Sequence, residues 1–68
     1  MSKIEVIING QTKEIEETKT IQEILEEFDY KSPMIVVEKN LKILPKENYS
    51  TNLSDGDKLE IVSFFGGG

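Results

Sequence analysis

Only one stretch of this chain repeats its apolar residues with the period of a helix; every other regular stretch has the period of a strand. Ile21, Ile24, Leu25 and Phe28 are spaced to share one helical face, while Glu23, Glu26 and Glu27 point toward water. Thr20 and Glu23 precede them at the spacing of a capping box, in which each side chain satisfies a backbone amide that the first helical turn leaves unpaired. Pro33 predicts that the helix does not continue past Ser32. A lone amphipathic helix has to bury its stripe against a sheet, so the strands decide the fold.

Residues 3–9 alternate with Ile4, Val6 and Ile8 on one side and Glu5 and Ile7 on the other, and Asn9 and Gly10 suit a type I′ turn. Residues 11–16 then return antiparallel, as a polar strand at a sheet edge. A short apolar strand is predicted over 34–37, with Lys39 and Asn40 as the turn and 41–44 as its return, closed by Pro45. The polar stretch 46–52 reads as a loop anchored by Tyr49, and Asp55, Gly56 and Asp57 as a tight turn before a last strand over 58–63. The order predicts an α+β domain, one helix packed on one face of a mixed sheet of four to five strands. Its expected core joins the helix face to Ile4, Val6, Ile8, Leu59 and Ile61. This local patterning leaves the strand order open.

At 68 residues the chain makes one domain, in which about 60% of the unfolded surface can be buried. We read residues 1–65 as that domain and 66–68 as a flexible glycine tail. No cysteine is present to form a disulfide framework, and with no histidine either, the usual zinc ligand sets and histidine-activated nucleophiles are excluded. No metal site is expected. The start of the chain lacks the apolar segment of a secretory signal and no run of about 18 apolar residues occurs, so the expected location is the cytoplasm. A net charge of −5 argues against nucleic acid and membrane surfaces as partners.

The acidic pairs Glu16 with Glu17 and Glu26 with Glu27 invite an acid–base reading, but neighbours in sequence point apart on a helix or strand, which makes them a solvated face. Asp55 and Asp57 lack the remaining ligands of a calcium loop and are assigned to the turn. What remains is the end: Phe64, Phe65, Gly66, Gly67 and Gly68, directly after the last strand. Three residues without side chains can enter a passage too narrow for a Cβ, and extended they reach about 10 Å. Ordering them costs about 1–2 kcal/mol per residue, which a partner has to offset by backbone bonds and by contact with the adjoining surface. Alternation puts Val62 and Phe64 on the sheet face away from the helix, as an apolar docking patch with Phe65 beside it. On residue chemistry alone a second reading stays open, in which Phe65 closes the core and the glycines are a frayed end.

The opening strand into Asn9 and Gly10, the helix IQEILEEF, the segment VVEKNLKILPKENY and above all the ending LSDGDKLEIVSFFGGG resemble the ThiS family of sulfur carriers in thiamine biosynthesis, within the ThiS and MoaD group of ubiquitin-like proteins. The resemblance covers nearly the whole chain. Leu41 stands where a glycine is common, Lys46 where arginine is usual, Tyr49 where tryptophan is frequent, and Phe65 where valine often precedes the glycines. The resemblance implies a β-grasp fold with the first and last strands paired in parallel at the sheet centre. It also implies a carrier rather than an enzyme. An adenylating enzyme of the ubiquitin-activating type would join the Gly68 carboxylate to AMP, using ATP. A sulfur-donating enzyme such as a cysteine desulfurase would supply the sulfur that replaces AMP, and the thiocarboxylate would serve a thiazole synthase. Gly66 and Gly67 would be the tail residues held by partners, and no cofactor would be bound permanently. The alternatives are a sulfur carrier for molybdopterin synthesis, a ubiquitin-like protein modifier, and a β-grasp interaction domain whose tail has no chemistry.

Overall fold

The computed structural model describes residues 2–28, 30 and 34–63. Five strands form one mixed sheet: β1 (Lys3–Ile8), β2 (Gln11–Glu16), β3 (Ile35–Lys39), β4 (Lys42–Ile43) and β5 (Lys58–Ser63), in the order β2-β1-β5-β3-β4. β1 pairs antiparallel with β2 and parallel with β5, while β3 pairs antiparallel with both β5 and β4. β2 and β3 consequently run the same way with two strands between them. The chain has to cross the sheet to join them, and the helix α1 (Ile21–Glu27) lies in that crossing. No described helix is long and apolar enough to cross a membrane.

The capping box forms as the spacing predicts. The Thr20 hydroxyl accepts from the Glu23 amide at 3.1 Å, and the Glu23 carboxylate accepts from the Thr20 amide at 2.8 Å. These bonds, the backbone one foremost, hold the Glu23 carboxyl below its ordinary value of 4.5. The helix ends well before the proline, at Glu27 with Phe28 as its C-cap. Tyr30 donates its amide back to the Leu25 carbonyl at 2.7 Å, the six-to-one bond of a Schellman ending, and so closes the helix from within.

Ile21, Ile24 and Leu25 pack on Val6, Ile8, Leu59 and Ile61, as the patterning predicts, and Phe28 and Ile4 lie partly buried at the margin. Ile15, Val37, Tyr49 and Leu53 join the same core. A single 3-10 turn, Lys46–Asn48, delivers Tyr49 inward, where burial pushes its phenol pKa up. Asn52 fastens that segment to the start of the helix by donating to the Thr18 carbonyl at 2.7 Å and to that of Lys19 at 3.2 Å.

The first hairpin turns at Asn9 and Gly10, with φ of 50° and 84°, as a type I′ turn requires. The second differs by one position from the sequence expectation. Asn40 and Leu41, not Lys39 and Asn40, occupy the turn, with φ of 54° and 71°. Asn40 settles the register: its backbone amide donates to the Lys58 carbonyl at 2.8 Å and its carboxamide oxygen accepts from the Lys58 amide at 3.0 Å. A leucine at positive φ carries strain of about 1–2 kcal/mol.

Two measurements test this account. Ile24 is fully buried, so Ile24→Ala should lower stability by about 2–5 kcal/mol in urea unfolding. The depressed carboxyl of Glu23 contributes stability that is complete above 4.5 and is lost as pH falls through its folded value, so in Glu23→Gln the acid limb of the stability profile should flatten in that interval.

Candidate functional site

The β1–β5 pair at the sheet centre is short as a backbone ladder, Ile7 opposite Lys58 and Ile8 opposite Leu59. Side chains extend it at both ends. Below, the Asp55 carboxylate accepts from the Glu5 amide at 2.8 Å, while the Gly56 amide, at a φ of 87° open to glycine, donates to the Glu5 carbonyl at 2.7 Å. Above, the Asn9 carboxamide accepts from the Ile61 amide at 2.7 Å and donates to the Ile61 carbonyl at 3.2 Å and to the Tyr30 hydroxyl at 3.0 Å. With Asn40 bonded to Lys58 from the opposite side, β5 is held by an asparagine on each flank. The strand that leads to the glycines is thus fixed almost to its last described residue, Ser63.

Leu59 and Ile61 point into the core, and Val62 points to the uncovered face, 47% exposed. Its alternation-based assignment to that face is correct. Val36 on β3 stands directly across from it, 36% exposed, and Met34 and Ile43 add apolar surface on the same side of the molecule. One row further from the tail, Glu60 faces Glu38, and Glu38 in turn faces Ile43. Like charges directly opposite oppose one another, and neither carboxylate has an ion-pair partner among the described residues. The face thus offers an apolar strip next to the point where β5 ends, with Glu38 and Glu60 one row further on and Lys58 beyond them. Phe64, Phe65, Gly66, Gly67 and Gly68 lie outside the described residues, as do the expected tail and the end of the expected domain at residue 65.

Several of the other candidates have structural partners. Glu27 pairs with Lys19, whose pKa the bond raises, and Glu26 accepts from the Gln22 amide group at 3.2 Å. Asp57 accepts from the Ser54 amide at 2.8 Å and from the Asn40 carboxamide at 3.1 Å, which makes it part of the turn. No group of three or more possible metal ligands occurs among the described residues. On the helix side, an open cleft of about 340 Å³ is lined by Ile8, Asn9, Gln11, Lys13, Phe28 and Tyr30, with the Lys13 ammonium 5.4 Å from the centre of the Phe28 ring.

Sequence reasoning missed Val36, Ile43, Glu38 and Glu60 as members of this face, since their placement depends on which strand lies beside β5. It also missed the grip of the two asparagines. The visible signal was that each stands at the head of a predicted hairpin, a position that tolerates positive φ.

The family model described as the ThiS family matches residues 6–68. The sulfur carrier protein ThiS of Bacillus subtilis is 40% identical over 63 residues, covering 90% of this chain and 96% of that protein. A thiazole synthase of Paramagnetospirillum magneticum is 41% identical over 66 residues; the match takes in 96% of this chain, which spans only 20% of that protein. The crystal structure of the thiamine biosynthesis protein ThiS from Geobacter metallireducens superposes with a TM-score of 0.77 at 28% identity, covering 96% of this chain and all of that one. The β-grasp expectation agrees with that superposition, and its parallel central pair is the β1–β5 contact of this chain.

If the Asn9 carboxamide holds the end of β5, Asn9→Gly, which keeps the turn and deletes the side chain, should cost about 1–3 kcal/mol. Hydrogen exchange at the Ile61 amide should then accelerate; unchanged protection there would show that the strand end is held by something else.

Proposed function

The chain belongs to the ThiS family, and from that premise we propose that the carboxylate of Gly68 is the group it carries into other proteins. It is a sulfur carrier of thiamine biosynthesis and not itself an enzyme. In the proposed cycle a carboxylate oxygen of Gly68 attacks the α-phosphorus of ATP in an adenylating enzyme of the ubiquitin-activating type, and pyrophosphate leaves. The mixed anhydride turns an unreactive carboxylate into an acyl donor. The outer sulfur of a persulfide on a sulfur-donating enzyme such as a cysteine desulfurase then attacks the acyl carbon and AMP departs; a second thiol cleaves the resulting acyl disulfide, ending in a disulfide itself, so that one oxygen of Gly68 is exchanged for sulfur. The thiocarboxylate passes this sulfur to the substrate held by a thiazole synthase, and an oxygen from that substrate or from water takes its place on the acyl carbon, which regenerates the carboxylate. The protein named thiazole synthase that carries a stretch 41% identical to this chain supports pairing the carrier with that acceptor.

The observation that carries the reading is exposed Val62 on β5, the strand that precedes Phe64, Phe65, Gly66, Gly67 and Gly68 in sequence, with exposed Val36 directly across from it on β3. A docked body is needed because the tail alone forfeits about 1–2 kcal/mol per residue on being ordered. Val62, with Phe64 and Phe65, supplies contact area beside the entrance, and Gly66 and Gly67 fill the passage without side chains.

Incubation with the cognate adenylating enzyme, ATP and the sulfur-donating enzyme should give a mass gain equal to replacing one oxygen by sulfur, read by intact-protein mass spectrometry. Deleting Gly68 should abolish the gain and leave the urea midpoint unchanged. A protein that accepts no sulfur, or a deletion that accepts it equally well, would overturn the proposal.

A further inference from the structure

Lys13 projects from β2 on the helix side of the sheet, its ammonium 5.4 Å from the centre of the Phe28 ring, into the open cleft of about 340 Å³. It has no ion-pair partner among the described residues. The nearby acids are turned away or tied elsewhere: Glu14 lies on the opposite sheet face beside Lys3, Glu27 holds Lys19 and Glu26 holds Gln22. Asp29 and Lys31, which flank Tyr30 in sequence with opposite charges, lie outside the described residues. A second donor stands in the same wall. The Tyr30 hydroxyl accepts from the Asn9 carboxamide at 3.0 Å, which leaves its own proton without an acceptor among the described residues.

Asn9 itself is fully engaged, since its amide hydrogens go to Tyr30 and to the Ile61 carbonyl and its oxygen takes the Ile61 amide. It thereby fixes the wall of the cleft against β5, two residues short of Ser63, where that strand ends. A small molecule needs most of its surface covered, which an open cleft does not provide; a side chain brought in by a docked protein has no such need. An ammonium and a hydroxyl donor beside an aromatic ring call for a carboxylate, whereas a lysine or arginine would meet Lys13 as a like charge. In a chain of net charge −5 a single contact of this kind fixes orientation rather than supplying bulk attraction.

We propose that this cleft docks an aspartate or glutamate side chain of the adenylating enzyme, held by Lys13 and Tyr30 on the helix side while Val62 and Val36 meet the same enzyme on the other face. This rests on the function proposed above and adds how the carrier is oriented for it. Contact on one sheet face alone leaves the body free to turn about β5, and a charged contact on the opposite side removes that freedom. Every chain terminus carries the same carboxylate, so the activation step has to identify its substrate by the folded body. Later steps meet a thiocarboxylate, whose sulfur is itself distinctive.

The test is pyrophosphate release by the adenylating enzyme at varied carrier concentration and ionic strength, combined with urea unfolding. Lys13→Glu should raise KM for the carrier about fivefold or more with kcat unchanged, and Lys13→Gln should raise it less. Lys13→Arg should stay near the parent protein, and Tyr30→Phe should raise KM about twofold. Lys42→Glu makes the same change of charge at an exposed site on β4, at the opposite edge of the sheet, and should leave KM unchanged. Added salt should raise the parent's KM and narrow its gap to Lys13→Gln. Should the urea midpoint show that Lys13→Glu folds poorly, Lys13→Gln and Tyr30→Phe decide. A KM that rises equally in Lys13→Glu and Lys42→Glu, no rise in Lys13→Gln at low salt, or a loss confined to sulfur transfer to thiazole synthase would each overturn the proposal. A parent protein that releases no pyrophosphate sinks the function itself, and the docking cleft with it; an active parent with indifferent variants removes only the cleft.

Discussion

The parallel pairing of the first and last strands is the contact on which the rest of this molecule depends. It joins segments about fifty residues apart in sequence, Ile8 to Leu59, and no local turn can enforce it. Two backbone pairs are a slender ladder. Asp55 lengthens it at one end and Asn9 at the other, each supplying a side-chain group where the neighbouring strand offers no peptide in register. Asn40 secures the far side of β5 through Lys58. The sheet is therefore assembled around β5, and the two hairpin turns that look like mere connections are what hold it.

With β5 central, the two faces of the sheet meet different fates. A single helix of seven residues covers the inner face, and among the described residues no element covers the outer one. The sheet has one parallel contact, β1 with β5, and antiparallel pairs elsewhere; such a sheet can leave a face to water, and most of this one is polar. The exception is the strip from Val62 and Val36 toward Ile43. An apolar strip kept beside the exit of a proposed reactive tail is what a docking protein requires and what a solitary domain would shed.

How much of this was legible in the sequence depended on range. Thr20 with Glu23, and Asn9 with Gly10, are local devices whose chemistry is complete within a few residues, and both formed as read. The helix ended early because a backbone bond from Tyr30 to Leu25 acted before Pro33 was reached, and a backbone bond leaves no mark on composition. The turn at Asn40 and Leu41 was displaced by one residue for a nonlocal reason, the anchoring of Asn40 to β5. Ile15, Val37 and Leu53 were absent from the expected core because their burial follows from strand order and from the path of the 46–52 segment. The same gap hid Val36, Glu38 and Glu60: alternation assigns each to a face of its own strand, but only register puts Val36 beside Val62. The tail stands apart: three residues without side chains allowed either an insertable end or a frayed one, and residues 64–68 lie outside what the structure describes.

A carrier that works, as proposed, through a bare terminal carboxylate has to keep two properties apart. The extremity gains by having no features, since any side chain would hinder its passage through a narrow site. Recognition then has to reside on the body, and it is useful only if the body holds a fixed relation to the tail. That requirement gives a reason for bracing β5 with Asp55, Asn9 and Asn40 rather than leaving two backbone pairs to carry it.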